Sequence, residues 1–138
     1  MAAWLFKTEP SDYAFADLVR EKRVVWEGVS NALALIHLRN VKKGDVVVIY
    51  HTGAEKRAVG LAVAAGDPYA DPKLKDAKRA VVDLAPAKVL PAPVALATFK
   101  TDGVLKATEL VRNSRLSVMP LSDAQLARVL QLAQAWAT

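Results

Sequence analysis

The sequence predicts an α+β fold, a small curved sheet or barrel in the middle of the chain with helices packed around it from both sides. Three observations predict it. Strand-like runs rich in valine and alanine, "VVVIYH", "RAVGLAVAAG" and "KRAVVDLAPAKVL", follow one another through the middle of the chain, residues 46–90. Segments with helical spacing flank them, beginning with "DYAFADLVREK" and "NALALIHLRN" and ending in a long C-terminal helix. An apolar share of 53 % in 138 residues, with no cysteine, is enough to build a core without disulfides, so one domain, 1–138, is expected.

In chain order, "AWLFK" reads as an opening strand of aromatic and branched residues. Pro10 closes it, because proline offers no N–H to a ladder, and Ser11 is placed to cap the helix that follows. Tyr13, Phe15, Leu18 and Val19 fall roughly on one side of that helix. "RVVWEG" is a short extended segment stopped at Gly28, and Asn31 stands where a helix cap belongs. "VKKGD" turns the chain into the strand 46–51, "TGAEK" turns it again, and "DPYADPKLKD" is rich in turn residues. The strand region 78–90 is expected to break at Pro86. "PVALATFK" and "DGVLKATELVRN" read as helices, "RLSVMP" as a short segment, and Ser122 as the cap of a final helix through "DAQLARVLQLAQAW".

Composition excludes several chemistries. No apolar run approaches the roughly 20 residues that span a bilayer, and the N-terminus turns charged too early for a signal peptide, so a cytoplasmic protein with no membrane partner is expected. Without cysteine and with two histidines, no metal site and no cofactor are expected. The net charge is +5, gathered in clusters at Arg20, Lys22 and Arg23, at Arg39, Lys42 and Lys43, at Lys73, Lys75, Lys78 and Arg79, and at Arg112 and Arg115. Such an excess favours a polyanionic partner.

Four polar islands interrupt the apolar pattern: "KTEPS", "WEGVSN", "YHTG" and "RNSRLSVMPLS". Polar residues at the ends of core elements are where ligand sites are built, because the scaffold holds them while the loops leave room. Each island also has a plain structural reading. Pro10 and Ser11 serve strand exit and helix capping, Asn31 caps a helix, His51 makes a structural hydrogen bond, and Arg112 and Arg115 are solvated arginines beside a strand edge. Trp26 fills a core, or it forms a flat wall on which a ligand stacks. There is no G-x-S-x-G elbow, no H-E-x-x-H, no Walker loop and no Rossmann fingerprint.

Taken in order, "WLFKTEPSDYAFADL", "WEGVSN", "LRNVKKGDVVVIYHTG", "AVGLAV", "YADP" and "RNSRLSVMPLS" resemble the EVE domain family, over nearly the whole chain from Trp4 to about Ser122. The resemblance implies a PUA-like mixed β-barrel with packed helices, related to the YTH readers. It implies a non-catalytic nucleic-acid-binding module that holds a modified base of DNA or RNA in an aromatic and polar pocket; a monomer is expected. The pocket residues it implies are Lys7, Thr8, Glu9, Trp26, Gly28, Val29, Asn31, Tyr50, His51, Thr52, Ser114, Arg115, Leu116 and Ser117. Lys7, Arg112 and Arg115 are then suited to phosphates. Two departures, "ALALIH" after Asn31 and a shortened loop around 67–84, bear on which nucleic acid is preferred. The competing reading is an ASCH-like amidohydrolase acting on a modified nucleoside with the lysine, threonine and glutamate of "KTE" at 7–9. A third is an interaction module with a vestigial pocket.

Overall fold

The computed structural model describes residues 2–74, 76 and 78–135. Seven strands form one mixed sheet: β1 (Ala3–Thr8), β2 (Val24–Trp26), β3 (Val46–His51), β4 (Arg57–Ala64), β5 (Tyr69–Ala70), β6 (Ala80–Ala95) and β7 (Val118–Leu121). The strand order is β2-β6-β4-β3-β1-β7, with β5 on β6, and the sheet curls into a half-barrel. Around it lie α1 (Phe15–Glu21), α2 (Ala32–Arg39), α3 (Leu96–Thr101), α4 (Glu109–Arg112) and α5 (Asp123–Leu132). Lys75 of the third basic cluster, and the expected end of the last helix at Trp136, fall outside the described residues.

The pair β1 and β3 is the spine. They run parallel in register from Ala3 against Val46 to Thr8 against His51, and a parallel pair needs a crossover, here supplied by α1, β2 and α2. Both strands therefore end side by side, which brings "KTEPS" next to "YHTG". At the other end Asp45, itself buried, accepts hydrogen bonds from the Trp4 indole at 3.0 Å and from the amides of Ala2 at 3.0 Å and Lys42 at 2.9 Å. A buried carboxylate is tolerated because it is fully engaged.

Three elements differ from the sequence reading. Pro86 does not end its strand: β6 continues through it to Ala95, and the register slips so that Leu61 faces Lys88 while Ala62 faces Pro86. The slip leaves Ala87 as an extra residue, the irregularity that accommodates a proline within a ladder. Ser11 caps nothing, since α1 starts at Phe15; Ser11 instead donates from N and Oγ to Glu9 Oε1. The expected helix 102–113 is a 3-10 turn (Leu105–Ala107) followed by the one-turn α4, because Asp102 Oδ1 accepts from the amides of Val104 and Leu105 and starts the tighter turn. Asn31 and Ser122 do cap α2 and α5, through the amides of Ala34 and Gln125.

Candidate functional site

Where β1 ends, a cavity of about 680 Å³ opens between the β1–α1 turn, the segment from β2 to the start of α2, and the loop before β7. Each wall has a local cause. The turn after Thr8 is closed by the amides of Asp12 and Tyr13, both donating to the Glu9 carbonyl at 2.9 Å. Thr8 Oγ1 donates to the Tyr13 carbonyl at 2.6 Å, which fixes Tyr13 at the rim. Behind it, Phe15 lies flat on Gly60, where any Cβ would run into its ring. The opposite wall turns at Gly28, whose φ of 82° suits glycine best. Val29 is buried there, and Asn31 follows as the cap of α2.

Trp26 stands between these walls. The residue is 9 % exposed, so it is far more buried than a wall open to solvent would be. It packs tilted against Phe6 with centroids 5.7 Å apart and edge-on to Tyr13 at 6.3 Å. Most of the Trp26 surface is therefore core, and the residue also borders the cavity. Among the described residues its Nε1–H has no acceptor, and no buried side-chain nitrogen or oxygen there is left unpartnered. That donor is thus reachable by solvent. Tyr13 differs, since its hydroxyl donates to Glu21 Oε1 at 2.6 Å; burial, reinforced by that bond, pushes its phenol above the usual range.

Of the expected pocket residues, the fold brings Lys7, Thr8, Glu9, Trp26, Gly28, Val29, Asn31, Arg115 and Ser117 to this one cavity. Tyr50, His51, Thr52, Ser114, Leu116 and Arg112 are not among its lining. Tyr50 and Leu116 are buried in the core. Thr52 lies one layer behind, donating to Glu9 Oε2 at 3.2 Å, and Ser114 contributes its carbonyl, which takes the Lys7 ammonium at 2.8 Å. Partial burial lowers the pKa of Lys7. His51 is buried and faces a separate apolar groove: its Nε2 accepts from the Phe15 amide at 3.0 Å, and its Nδ1 bonds Glu55 at 2.9 Å. A ring nitrogen that caps a helix start is not free to act as a base. The lysine, threonine and glutamate of "KTE" likewise point into three separate hydrogen bonds. Among the described residues no cluster of histidine and carboxylate groups suits a metal.

Sequence reasoning missed Asp12, Tyr13, Glu21 and Glu27, which also line the cavity. Glu27 adjoins Trp26 in the quoted motif. Tyr13 and Glu21 stand two turns apart along the first predicted helix, a spacing that puts two side chains on one face.

A mixed half-barrel whose paired strand ends open into a tryptophan-walled cavity defines a PUA-like α+β protein. Within that class the chain belongs to the EVE domain family, whose profile matches residues 2–132. Thymocyte nuclear protein 1 of Rattus norvegicus is 27 % identical over 96 % of this chain and 74 % of its own length. The solution structure of Rpa0253 from Rhodopseudomonas palustris superposes with a TM-score of 0.94 at 31 % identity, covering 100 % of this chain and 97 % of that one. The crystal structure of human THYN1 protein in complex with 5-methylcytosine containing DNA superposes with a TM-score of 0.88 at 26 % identity, covering 97 % of this chain and 98 % of that one. An ASCH protein from Zymomonas mobilis, at 11 % identity and a TM-score of 0.57, shares the fold alone. No helix among the described residues is long and apolar enough to cross a membrane.

Proposed function

We propose that this chain is a non-catalytic reader that takes one modified base of a nucleic acid into the cavity beside Trp26. The observation that carries the reading is the indole itself: a nearly buried aromatic ring with an unused N–H, bordering a cavity of about 680 Å³, offers a base both a π-surface and a directed donor. Gly28 and Asn31 at one side, and Thr8 and Ser117 at the other, supply polar groups for the base edge. Arg115 at the rim is suited to a phosphate, and the excess of lysine and arginine favours a polyanion at longer range. The relative crystallised with 5-methylcytosine containing DNA supports the same ligand class. In this reading the chain acts as one domain, as a monomer in the cytoplasm, without metal or cofactor.

The test is a binding screen of modified and unmodified oligonucleotides, single-stranded and duplex, against the protein and Trp26→Ala. Modification-dependent binding lost in the variant supports the reading. Turnover of acylated or alkylated nucleosides, abolished by Thr8→Ala, would replace it with the hydrolase.

A further inference from the structure

The chain carries a net charge of +5, yet its cavity is lined with the opposite sign. Four acidic residues, Glu9, Asp12, Glu21 and Glu27, line it against Lys7 and Arg115. Little offsets them locally. Glu9 is held by the hydroxyls of Ser11 and Thr52, and Glu21 by that of Tyr13, all neutral donors. Glu27 has the Lys73 ammonium at 3.4 Å on the exposed side, and the Asp12 carboxylate has no ion pair among the described residues. Lys7 spends its ammonium on a backbone carbonyl. A phosphate inside this lining would face carboxylates, and a neutral ring would gain nothing from their charge.

A positive charge gains from both the carboxylates and the aromatic face. The Trp26 N–H, which has no acceptor among the described residues, adds a second condition: a ligand that covers it must supply an acceptor, which neither a bare ammonium nor a metal ion provides. A flat ligand that is cationic and also carries a ring carbonyl or ring nitrogen meets every condition.

We propose that the cavity selects a cationic base, a purine or pyrimidine alkylated on a ring nitrogen so that the ring is positively charged at neutral pH. This rests on the base-reading function proposed above, and names the class of modification read. Modifications of this kind differ from their neutral counterparts in the position of the methyl group and in one added proton, so charge enters the discrimination beside shape, and the carboxylate variants isolate the charge.

Isomer pairs test it directly. The protein is titrated with single-stranded oligonucleotides bearing one 3-methylcytosine or one 5-methylcytosine, and one 1-methyladenine or one N6-methyladenine, and with the four corresponding free nucleosides. The expected result is that the cationic member of each pair binds tighter by about tenfold. The double variant Asp12→Asn, Glu27→Gln, both exposed sites, should shrink that ratio by weakening the cationic member more than the neutral one. Neutral isomers that bind as well as or better than the cationic ones overturn this inference and leave the reader intact. Nucleosides that keep the ratio while no oligonucleotide binds support it and overturn the nucleic-acid reading alone. Absence of binding in every arm overturns both.

Discussion

Two tryptophans of nearly equal burial and opposite chemistry stand near the two ends of the β1–β3 pair, Trp4 on β1 itself and Trp26 on β2, packed against Phe6 of β1. At the start, Trp4 is 6 % exposed and its indole N–H is taken by the buried Asp45; at the finish, Trp26 is 9 % exposed, borders a cavity, and has no acceptor for its N–H among the described residues. Burial alone does not distinguish them. What separates a structural tryptophan from a binding one here is whether the polar handle is already spent, since an unpaired buried donor costs about 1–3 kcal/mol and is tolerated where a ligand or water can reach it.

The largest effect should come from breaking the closed end. Trp4→Ala removes a packed ring and leaves Asp45 short of a donor, so about 3–5 kcal/mol of folding stability should be lost, read as a lower denaturant midpoint. Oligonucleotide affinity of the folded fraction should not change. The matching Trp26→Ala should cost about 1–3 kcal/mol of binding, with a smaller stability loss than at Trp4 because no buried hydrogen bond is broken with the ring. Trp26→Phe sharpens the contrast: it keeps a smaller aromatic face and removes the N–H together with one ring of the indole, so affinity should fall by about 0.5–1.5 kcal/mol, with a smaller stability loss than for Trp26→Ala. Equal affinity for Trp26→Phe and wild type would show that the indole N–H contributes nothing to binding.

The same two ends show what the sequence could carry. "WEGVSN" could be read because its parts lie consecutively on one wall, a strand end, a glycine turn and a helix cap, each with a local signature in Trp26, Gly28 and Asn31. "YHTG" could not be resolved in that way. Whether Tyr50 and His51 face a cavity or the core depends on how β3 sits in the sheet and on Phe15 arriving from another element, and both are tertiary facts. Pro86 misled for a related reason. A proline demotes a strand only if a partner needs its N–H, and the slip between β4 and β6 removes that need. The acidic lining was invisible because its four carboxylates come from three separate segments and are outnumbered in the composition by basic residues.

Arg115 gives a weaker effect that tests the rim rather than the wall. If it meets a phosphate, Arg115→Ala should weaken binding alike for every sequence and modification. It should also make the dependence of log affinity on log salt shallower by about one unit. A loss confined to one modified base would instead place the Arg115 guanidinium on the base itself. Binding indifferent to salt in the wild type would argue for a free nucleoside.

The smallest expected effect concerns the His51–Glu55 contact that backs the open end. His51 holds the first amide of α1 through Nε2 and bonds Glu55 through Nδ1, so the position of Tyr13 at the cavity rim depends in part on this pair. The hydrogen bond from His51, more than the nearby Arg57, holds the Glu55 carboxyl below its ordinary value of 4.5. A carboxyl whose pKa is lower folded than unfolded contributes stability above the unfolded value, and that contribution is lost as pH falls through the folded value. Glu55→Gln should therefore be less stable than wild type at neutral pH, and the difference should close as pH falls below 4.5. The measurement is the denaturant midpoint of both proteins across that range. Since Glu55 is partly solvated, the gap should be far smaller than that for Trp4→Ala. A gap that persists unchanged in acid would show that Glu55 acts by packing rather than by its charge on His51.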